Sequence, residues 1–336
     1  MTAVQGPEAA RWWLDPIVVL LAVTGVLMGT YLGETGTSQD IDERLFRSTL
    51  EHMREGDGYY DAFAQAIIEK SGVGPSQVRS VRTPVVSELL APLPASTWRW
   101  VAVVPAMALC LAAAALAGPH LLDRRVAAGI AALWMVVSLP LLYLHAELWG
   151  AALFAFGALQ VQRDRDRAAA GLCLAATAVR ELFAIGLVVG LVVRRDRRPW
   201  ALAVVGAVVG AALHARWAQH IVDPDGFDPP LRAVEHYLAY LSPGTSGAAQ
   251  VLGAALLLLA GAGGWLLRKR AGVLFLALCA VPMIVATALT GRLYWTLTWC
   301  AISSAAGGVA VGALARRLGL GSGHDGATAL APYPQS

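Results

Sequence analysis

The sequence predicts an all-α, polytopic membrane protein with about ten transmembrane helices. Hydrophobic residues make up 57% of the 336-residue chain, charged residues only 15%, and the mean hydropathy is +0.57. A soluble domain carries about 25% charged residues, so this composition excludes an ordinary soluble protein. Long apolar stretches recur along the chain. Most are near the ~20 residues with which a helix crosses a bilayer, and two, Ala168–Val179 and Leu182–Val193, are unusually short.

The predicted spans are the apolar stretches that lie between charged or Pro-rich turns. They cover Pro16–Gly33, Trp98–Gly118, Val126–Tyr143, Leu148–Val161, Ala168–Val179, Leu182–Val193, Trp200–Trp217, Ala248–Leu267, Ala271–Thr290 and Trp295–Leu314. We therefore expect one transmembrane domain over residues 16–319, preceded by a cytoplasmic N-terminus at residues 1–15. Residues 320–336 are rich in Gly, Ser and Pro, which predicts a disordered cytoplasmic tail.

Basic residues concentrate in every second turn between these spans, whereas the other turns hold most of the acids. The basic set is Arg124, Arg125, Arg163, Arg165, Arg167, Arg194, Arg195, Arg197, Arg198, Arg268, Lys269, Arg270, Arg316 and Arg317. The positive-inside rule then places both termini in the cytoplasm and the chain in the inner (plasma) membrane. The net charge of +3 reflects this orientation, and nucleic-acid binding is not implied.

Two outer segments are longer than simple turns. The first, residues 34–97, is predicted to contain two short amphipathic helices. In the second of these helices, helical spacing puts five residues on one face that would lie against the membrane surface or the other spans. They are Tyr60, Phe63, Ala64, Ile67 and Ile68. The other long outer loop, residues 218–247, holds several aspartates and a Pro–Pro break.

Three further outward hairpins carry charged or aromatic residues. They hold His145 and Glu147, Arg180 and Glu181, and Arg292 and Tyr294. A charge at membrane depth costs about 2.5–3.5 kcal/mol, so such residues usually face a protein interior or a water-filled cavity. We therefore expect the hairpins and the first outer loop to converge on one charge-lined cavity that opens outward and sideways to lipid.

The motif Gly56–Asp57–Gly58–Tyr59–Tyr60, followed by Arg82–Thr83–Pro84, resembles the first outer loop of integral-membrane glycosyltransferases of the GT-C superfamily. That superfamily includes the protein O-mannosyltransferases and bacterial enzymes that use polyprenyl-phosphate sugars. The resemblance extends in order and spacing over Pro16–Val193. The chain departs from the family pattern in two respects: it lacks a paired acidic motif soon after the first span, and we expect no soluble C-terminal domain.

The resemblance implies transfer of a sugar from a polyprenyl-phosphate donor to a lipid- or glycan-linked acceptor on the outer face of the membrane. Such a reaction needs a carboxylate to accept the hydroxyl proton, a cation for the leaving phosphate and an apolar groove for the polyprenyl chain. The candidate catalytic acids are Asp57 and Glu181. The candidate substrate-binding residues are Tyr59, Tyr60, Arg82, His145, Glu147, Arg180, Arg292 and Tyr294.

No cofactor is predicted beyond the lipid-phosphate sugar, which acts as a co-substrate. The four cysteines Cys110, Cys173, Cys279 and Cys300 all fall in apolar spans and suit neither a loop disulfide nor a zinc cluster. His214 and His220 are six residues apart on a helix end and do not share a face well. The sequence therefore predicts no metal site, although it leaves metal dependence of the reaction open.

Structural roles compete with the catalytic ones. Asp57 precedes a helical pattern and suits an N-cap, and the base is then one of Asp40, Asp42 and Glu43. His145 and Glu147 suit hairpin caps, and Arg180 with Glu181 suits a structural ion pair. The other candidates, Arg82, Arg292 and Tyr294, suit interfacial anchors.

Two other functions are compatible with the same pattern. A transporter or flippase of a cell-envelope precursor is the alternative, because short broken spans with buried charge are also found in transporters. Transporters usually consist of two matching halves, which this sequence does not display. A non-catalytic membrane subunit of a cell-envelope complex is the third possibility.

Overall fold

A computed structural model describes residues 15–35, 41–71, 83–142, 144–222, 271–279 and 297–318. All regular secondary structure in these ranges is helical, which confirms the all-α prediction. The predicted span at 248–267, most of the second long outer loop and the tail at 320–336 lie outside the described residues. Arg82, Arg292 and Tyr294 lie outside them as well.

The described helices are numbered in chain order. They are α1 (Pro16–Thr35), α2 (Ile41–Glu55), α3 (Tyr59–Ser71), α4 (Val85–Leu90), α5 (Ala95–Val101), α6 (Val103–Ala117), α7 (Leu121–Leu142), α8 (Ala146–Gln162), α9 (Asp166–Val179), α10 (Ala184–Val193), α11 (Arg198–Ala218), α12 (271–279) and α13 (Leu297–Arg317). A single 3₁₀ turn, Glu181–Phe183, lies between α9 and α10.

Two helical stretches of the described chain are long and apolar enough to cross a membrane. One combines α5 and α6 over Ala95–Ala117, and the other is α11. Two shorter stretches, Pro16–Tyr31 and Glu181–Val193, are apolar as well. These lengths and compositions indicate membrane association.

The first and seventh helices pack with very little space between their backbones. Gly25 and Gly29 lie four residues apart on the same face of α1, and a Cβ placed on Gly25 would come within 2.5 Å of the Ala132 Cβ. A Cβ on Gly29 would meet the backbone carbonyl of Met135. Small residues at this spacing allow two helices to approach closely, so this face of α1 is committed to α7.

Aromatic rings fill the space around α8. Gly150 leaves room for the ring of Phe183, and Gly186 leaves room for the ring of Phe154. These two rings lie 5.3 Å apart between centroids. The contact holds the Glu181–Phe183 turn against α8, which brings the neighbouring Arg180 next to the start of that helix.

Ion pairs join helix ends at the face that is predicted to be cytoplasmic. Arg125 at the start of α7 donates from Nε to Asp15 at 3.0 Å, in front of α1. Arg316 at the end of α13 donates to Asp123 of α7 at 2.7 Å. Arg194, which follows α10, donates to Asp166 of α9 at 2.7 Å. Three of the predicted inner-turn arginines thus stabilise the bundle directly.

The first outer loop contains the two predicted helices, α2 and α3, and also the short helix α4, which the sequence did not predict. The predicted apolar face of α3, expected to lie against the membrane surface or the other spans, is only partly buried within the protein. The buried side chains are Tyr59, Ala62, Phe63 and Ala66, whereas Ile68 is 48% exposed. The helix packs through a face that begins one residue earlier, because Tyr59 inserts beside Ala218 at the end of α11.

Candidate functional site

The first outer loop lies on the end of the bundle where the α7–α8 and α9–α10 turns are located. Phe46 of α2 packs edge-on against the ring of His145, with centroids 5.5 Å apart. Thr83, just before α4, donates its hydroxyl to the carbonyl of Val179 at the end of α9, at 2.6 Å. These two contacts bring together the loop and two of the three predicted hairpins.

A buried charged cluster joins those two hairpins. Arg180 donates from Nε to the Glu147 carboxylate at 2.7 Å and also pairs with Glu181. The other carboxylate oxygen of Glu147 lies 3.7 Å from Nδ1 of His145. Arg180 and Glu147 are only 6% and 2% exposed. Removing one partner of such a buried pair leaves an uncompensated charge, which is strongly destabilising.

Local backbone geometry orients this cluster. Arg180 has an extended conformation (φ −153°, ψ 119°) that ends α9 and separates it from the 3₁₀ turn. His145 occupies the N-cap position of α8 but makes no side-chain capping hydrogen bond. The predicted structural ion pair between Arg180 and Glu181 is therefore present, whereas a capping role for His145 is not.

Two of the predicted site residues, Tyr60 and Glu181, line a groove of about 810 Å³ between α9, α11 and the first outer loop. Its walls are mainly apolar and include Leu174 of α9 and Gly206 and Gly210 of α11. A Cβ on Gly210 would meet nothing within 4 Å. The side chain of Glu181 is 56% exposed, so its carboxylate is accessible from this groove. The same carboxylate forms an ion pair with the buried Arg180.

A contact between α3 and α11 closes one side of the groove. The Tyr60 hydroxyl hydrogen-bonds Nδ1 of His214 at 2.9 Å, and the Tyr60 ring stacks on Trp217 at 6.1 Å between centroids. Burial raises the pKa of Tyr60 above its ordinary value. From the sequence, His214 was weighed only as a metal ligand. Its hydrogen bond with Tyr60 was not predicted, because the two residues are 154 positions apart.

Asp57 and Tyr59 line a second cavity, of about 520 Å³, between the α2–α3 turn and α4. Its other lining residues are Met53, Arg54, Gly58, Glu88, Ala91 and Pro92. The Asp57 carboxylate lies 3.9 Å from Nδ1 of His52. The N-cap position of α3 belongs to Gly58, whose carbonyl accepts the bond from Ala62, so the predicted N-cap alternative for Asp57 was wrong.

Side-chain contacts fix the α2–α3 hairpin and thereby the turn that holds Asp57. Glu69 of α3 accepts a bond from the Ser48 hydroxyl at 2.8 Å and lies 3.0 Å from Nε2 of His52. The hydrogen bond from Ser48, then that from His52, lowers the pKa of Glu69 below its ordinary value. His52 therefore contacts carboxylates on both sides, Glu69 and Asp57.

The structure does not gather all the predicted site residues in one hollow. Asp57 and Glu181 line separate cavities at different positions along α4, because Pro84 and Val85 at its start line the groove whereas Glu88, further along, lines the cavity at Asp57. The alternative acids Asp40, Asp42 and Glu43 have no described side chains.

Within the described ranges, no group of three or more His, Cys, Asp and Glu side chains is arranged to hold a metal ion. The four cysteines are buried there as free thiols. No family model matches the chain, and no curated protein or solved structure matches it either. The two cavities and the buried charged cluster are therefore the basis for a functional assignment.

Proposed function

We propose that the protein is a multi-span membrane glycosyltransferase of the GT-C type. It moves a sugar from a polyprenyl-phosphate donor to a lipid- or glycan-linked acceptor on the outer face of the membrane. The observation that carries this proposal is the apolar groove between α9 and α11, which has the half-exposed carboxylate of Glu181 at its border. A lipid chain and a reacting group need this combination of an apolar wall and a single charged residue.

The proposal includes the ten-span arrangement with both termini in the cytoplasm. It is supported by the ion pairs of Arg125, Arg194 and Arg316, which all lie at the basic end of the helices. The charged cluster of Glu147, Arg180 and Glu181 belongs to the other end, where the first loop packs. This separation of the two faces matches the positive-inside orientation.

The groove suits the polyprenyl chain of the donor. The outer surface of α11 is apolar and exposed, with Leu202 at 73% and Val208 at 63%, as expected for a helix that faces lipid. Leu213, on the same helix, is 54% exposed and also lines the groove. A lipid-linked sugar can therefore enter sideways from the bilayer, between α9 and α11.

Glu181 is the better placed of the two candidate bases. In the proposed reaction the acceptor hydroxyl oxygen bonds to the anomeric carbon, the bond from that carbon to the phosphate oxygen breaks, and Glu181 takes the hydroxyl proton. The electron pair of the broken bond leaves with the polyprenyl phosphate. Arg180, itself held by Glu147, fixes the position of the Glu181 carboxylate.

Arg180 already pairs with two carboxylates, so another cation is required for the leaving phosphate. Arg82 and Arg292, which lie outside the described residues, remain the proposed phosphate ligands, and Tyr294 follows Arg292 by two positions in the sequence. The planar guanidinium group of arginine matches the oxygens of a phosphate.

The test is sugar transfer from a radiolabelled polyprenyl-phosphate sugar in membranes that contain the protein. We expect Glu181→Gln to lower the rate by about 10²- to 10⁴-fold, the usual contribution of a general base. Asp57→Asn should retain more activity than Glu181→Gln, and Glu51→Gln, an exposed change on α2, serves as the matched control. The reverse order would assign the base to Asp57, and no glycosidic product with any donor would refute the proposal.

A transporter or flippase is the second candidate. The interruption of the helix at Arg180, between the 14-residue α9 and the 10-residue α10, favours it because broken helices often mark transport sites. Movement of a lipid-linked precursor across a proteoliposome, with no new glycosidic bond, would select this function.

A further inference from the structure

We propose that the cavity at Asp57 binds a neutral glycan chain, so that the acceptor of the transfer is an oligosaccharide or polysaccharide and not a second lipid. This inference rests on the proposed glycosyltransferase function and specifies its acceptor. The cavity has a volume of about 520 Å³ and opens between the α2–α3 turn and α4.

The chemistry of the lining residues fits sugar hydroxyl groups. Asp57 and Glu88 offer carboxylate oxygens that accept hydrogen bonds, and Arg54 offers guanidinium donors. A sugar ring presents hydroxyls that both donate and accept, so it can satisfy both kinds of group at once. The position of Asp57 is fixed on two sides, since its backbone N–H donates to the His52 carbonyl at 3.2 Å and its carboxylate lies near the His52 ring.

The charge balance of the cavity selects against a phosphorylated ligand. Two carboxylates and one guanidinium give the lining a net negative charge, which repels a phosphate group. The polar character of the lining also differs from that of the groove, whose walls are apolar. A lipid chain therefore belongs in the groove, and a neutral polyhydroxylated ligand belongs in the cavity.

The relation between the two cavities indicates an extended acceptor. On α4, Val85 borders the groove and Glu88 borders the cavity, and three residues of helix advance about 4.5 Å along its axis. Tyr59 and Tyr60 are consecutive and line one cavity each. We therefore expect a glycan of several units, with one sugar beside Glu88, to extend along α4 towards the groove that Glu181 lines.

The experiment measures glycan binding by the full-length protein in nanodiscs, with maltotriose, mannotriose and cellotriose as probes and the matching monosaccharides for comparison. We expect at least one trisaccharide to bind saturably and more tightly than its monosaccharide. Glu88→Gln and Arg54→Gln should each weaken that binding by about tenfold, since each removes a charged hydrogen-bonding partner. Glu51→Gln, on the same helix as Arg54, should leave it unchanged.

The inference is overturned if no trisaccharide binds, or if binding is the same in the Glu88→Gln and Arg54→Gln variants as in the unmodified protein. Near-ultraviolet circular dichroism of each variant identifies any that fails to fold. The failure of the enzyme proposal is distinguishable. Glycan binding without sugar transfer would refute the glycosyltransferase function and leave only glycan binding at the cavity, whereas transfer to lipid acceptors without glycan binding would refute this inference alone.

Discussion

Arg180 and Glu147 form a buried ion pair, with Nε of Arg180 2.7 Å from the Glu147 carboxylate, across 33 residues of sequence. The pair joins the end of α9 to the start of α8 in a region where both side chains are nearly inaccessible. It therefore determines where the α9–α10 turn lies and where Glu181 points.

We expect Glu147→Ala and Arg180→Ala each to destabilise the protein by about 3–5 kcal/mol, because each removes one partner of a buried ion pair. Thermal unfolding in detergent, followed by circular dichroism, measures the loss. The double variant should lose less than the sum of the two single changes. Additive losses would contradict a direct energetic coupling between these residues.

The link from the first outer loop to the bundle is tested at Thr83. Thr83→Val keeps the shape of the side chain but removes the donor to the Val179 carbonyl, which should cost about 1 kcal/mol. Hydrogen exchange should become faster in α4, which starts at Val85, two residues after Thr83. Thr83→Ser, which retains the hydroxyl, is the control, and equal exchange in both variants would contradict the expected role.

The close approach of α1 and α7 is tested at Gly25. Gly25→Ala places a Cβ against Ala132, and we expect overpacking to cost about 1–3 kcal/mol. Gly171→Ala on α9 is a matched control, because a Cβ there meets nothing within 4 Å. The measurement is the melting temperature of each variant, which should be lower for Gly25→Ala than for Gly171→Ala. Equal melting temperatures would mean that α1 and α7 can move apart without loss of stability.

The groove is tested at Gly210, where a larger side chain meets no protein atom. Gly210→Leu should fill part of the groove and raise the KM for the polyprenyl-phosphate donor by about tenfold or more, without loss of stability. Gly171→Leu again serves as the control, since Gly171 has open space but does not line the groove. Unchanged donor kinetics in Gly210→Leu would place the lipid elsewhere.

The α2–α3 hairpin should respond to pH through Glu69. Hydrogen bonds lower the pKa of Glu69 in the folded protein, so the carboxylate contributes stability above its unfolded pKa of about 4.3. That contribution is lost as the pH falls through the lowered folded value. Limited proteolysis of the hairpin between pH 3 and 7 measures the effect, and Glu69→Gln should abolish this part of the pH dependence.

The helix positions were largely predictable, because hydrophobic composition and turn charges depend on local sequence. The start of α7 was predicted at Val126, but the helix begins at Leu121. The earlier start places Asp123 beside Arg316 and Arg125 beside Asp15. The charged residues at 123–125 were interpreted as part of a turn. They are helical in the structure, where Asp123 pairs with Arg316 and Arg125 pairs with Asp15.

The candidate site was less predictable. The pairing of Tyr60 with His214 joins residues 154 positions apart and has no local signal. The separation of Asp57 from Glu181 depends on α4, a six-residue helix whose apolar and Pro-rich sequence suggested only an approach to the next span. The approach of the two described hairpins, at His145 and at Arg180, followed from topology, whereas the division into two cavities follows from side-chain packing.

The ion pair between Asp123 and Arg316 has a consequence for biogenesis. Asp123 is 1% exposed near the start of α7, and its arginine partner follows it by 193 residues. During translation, α7 is synthesised long before the ribosome reaches Arg316. Asp123 therefore lacks this counterion while the later helices are being synthesised. The bundle therefore acquires this ion pair only when α13 joins it, after the chain between α7 and α13 has been synthesised.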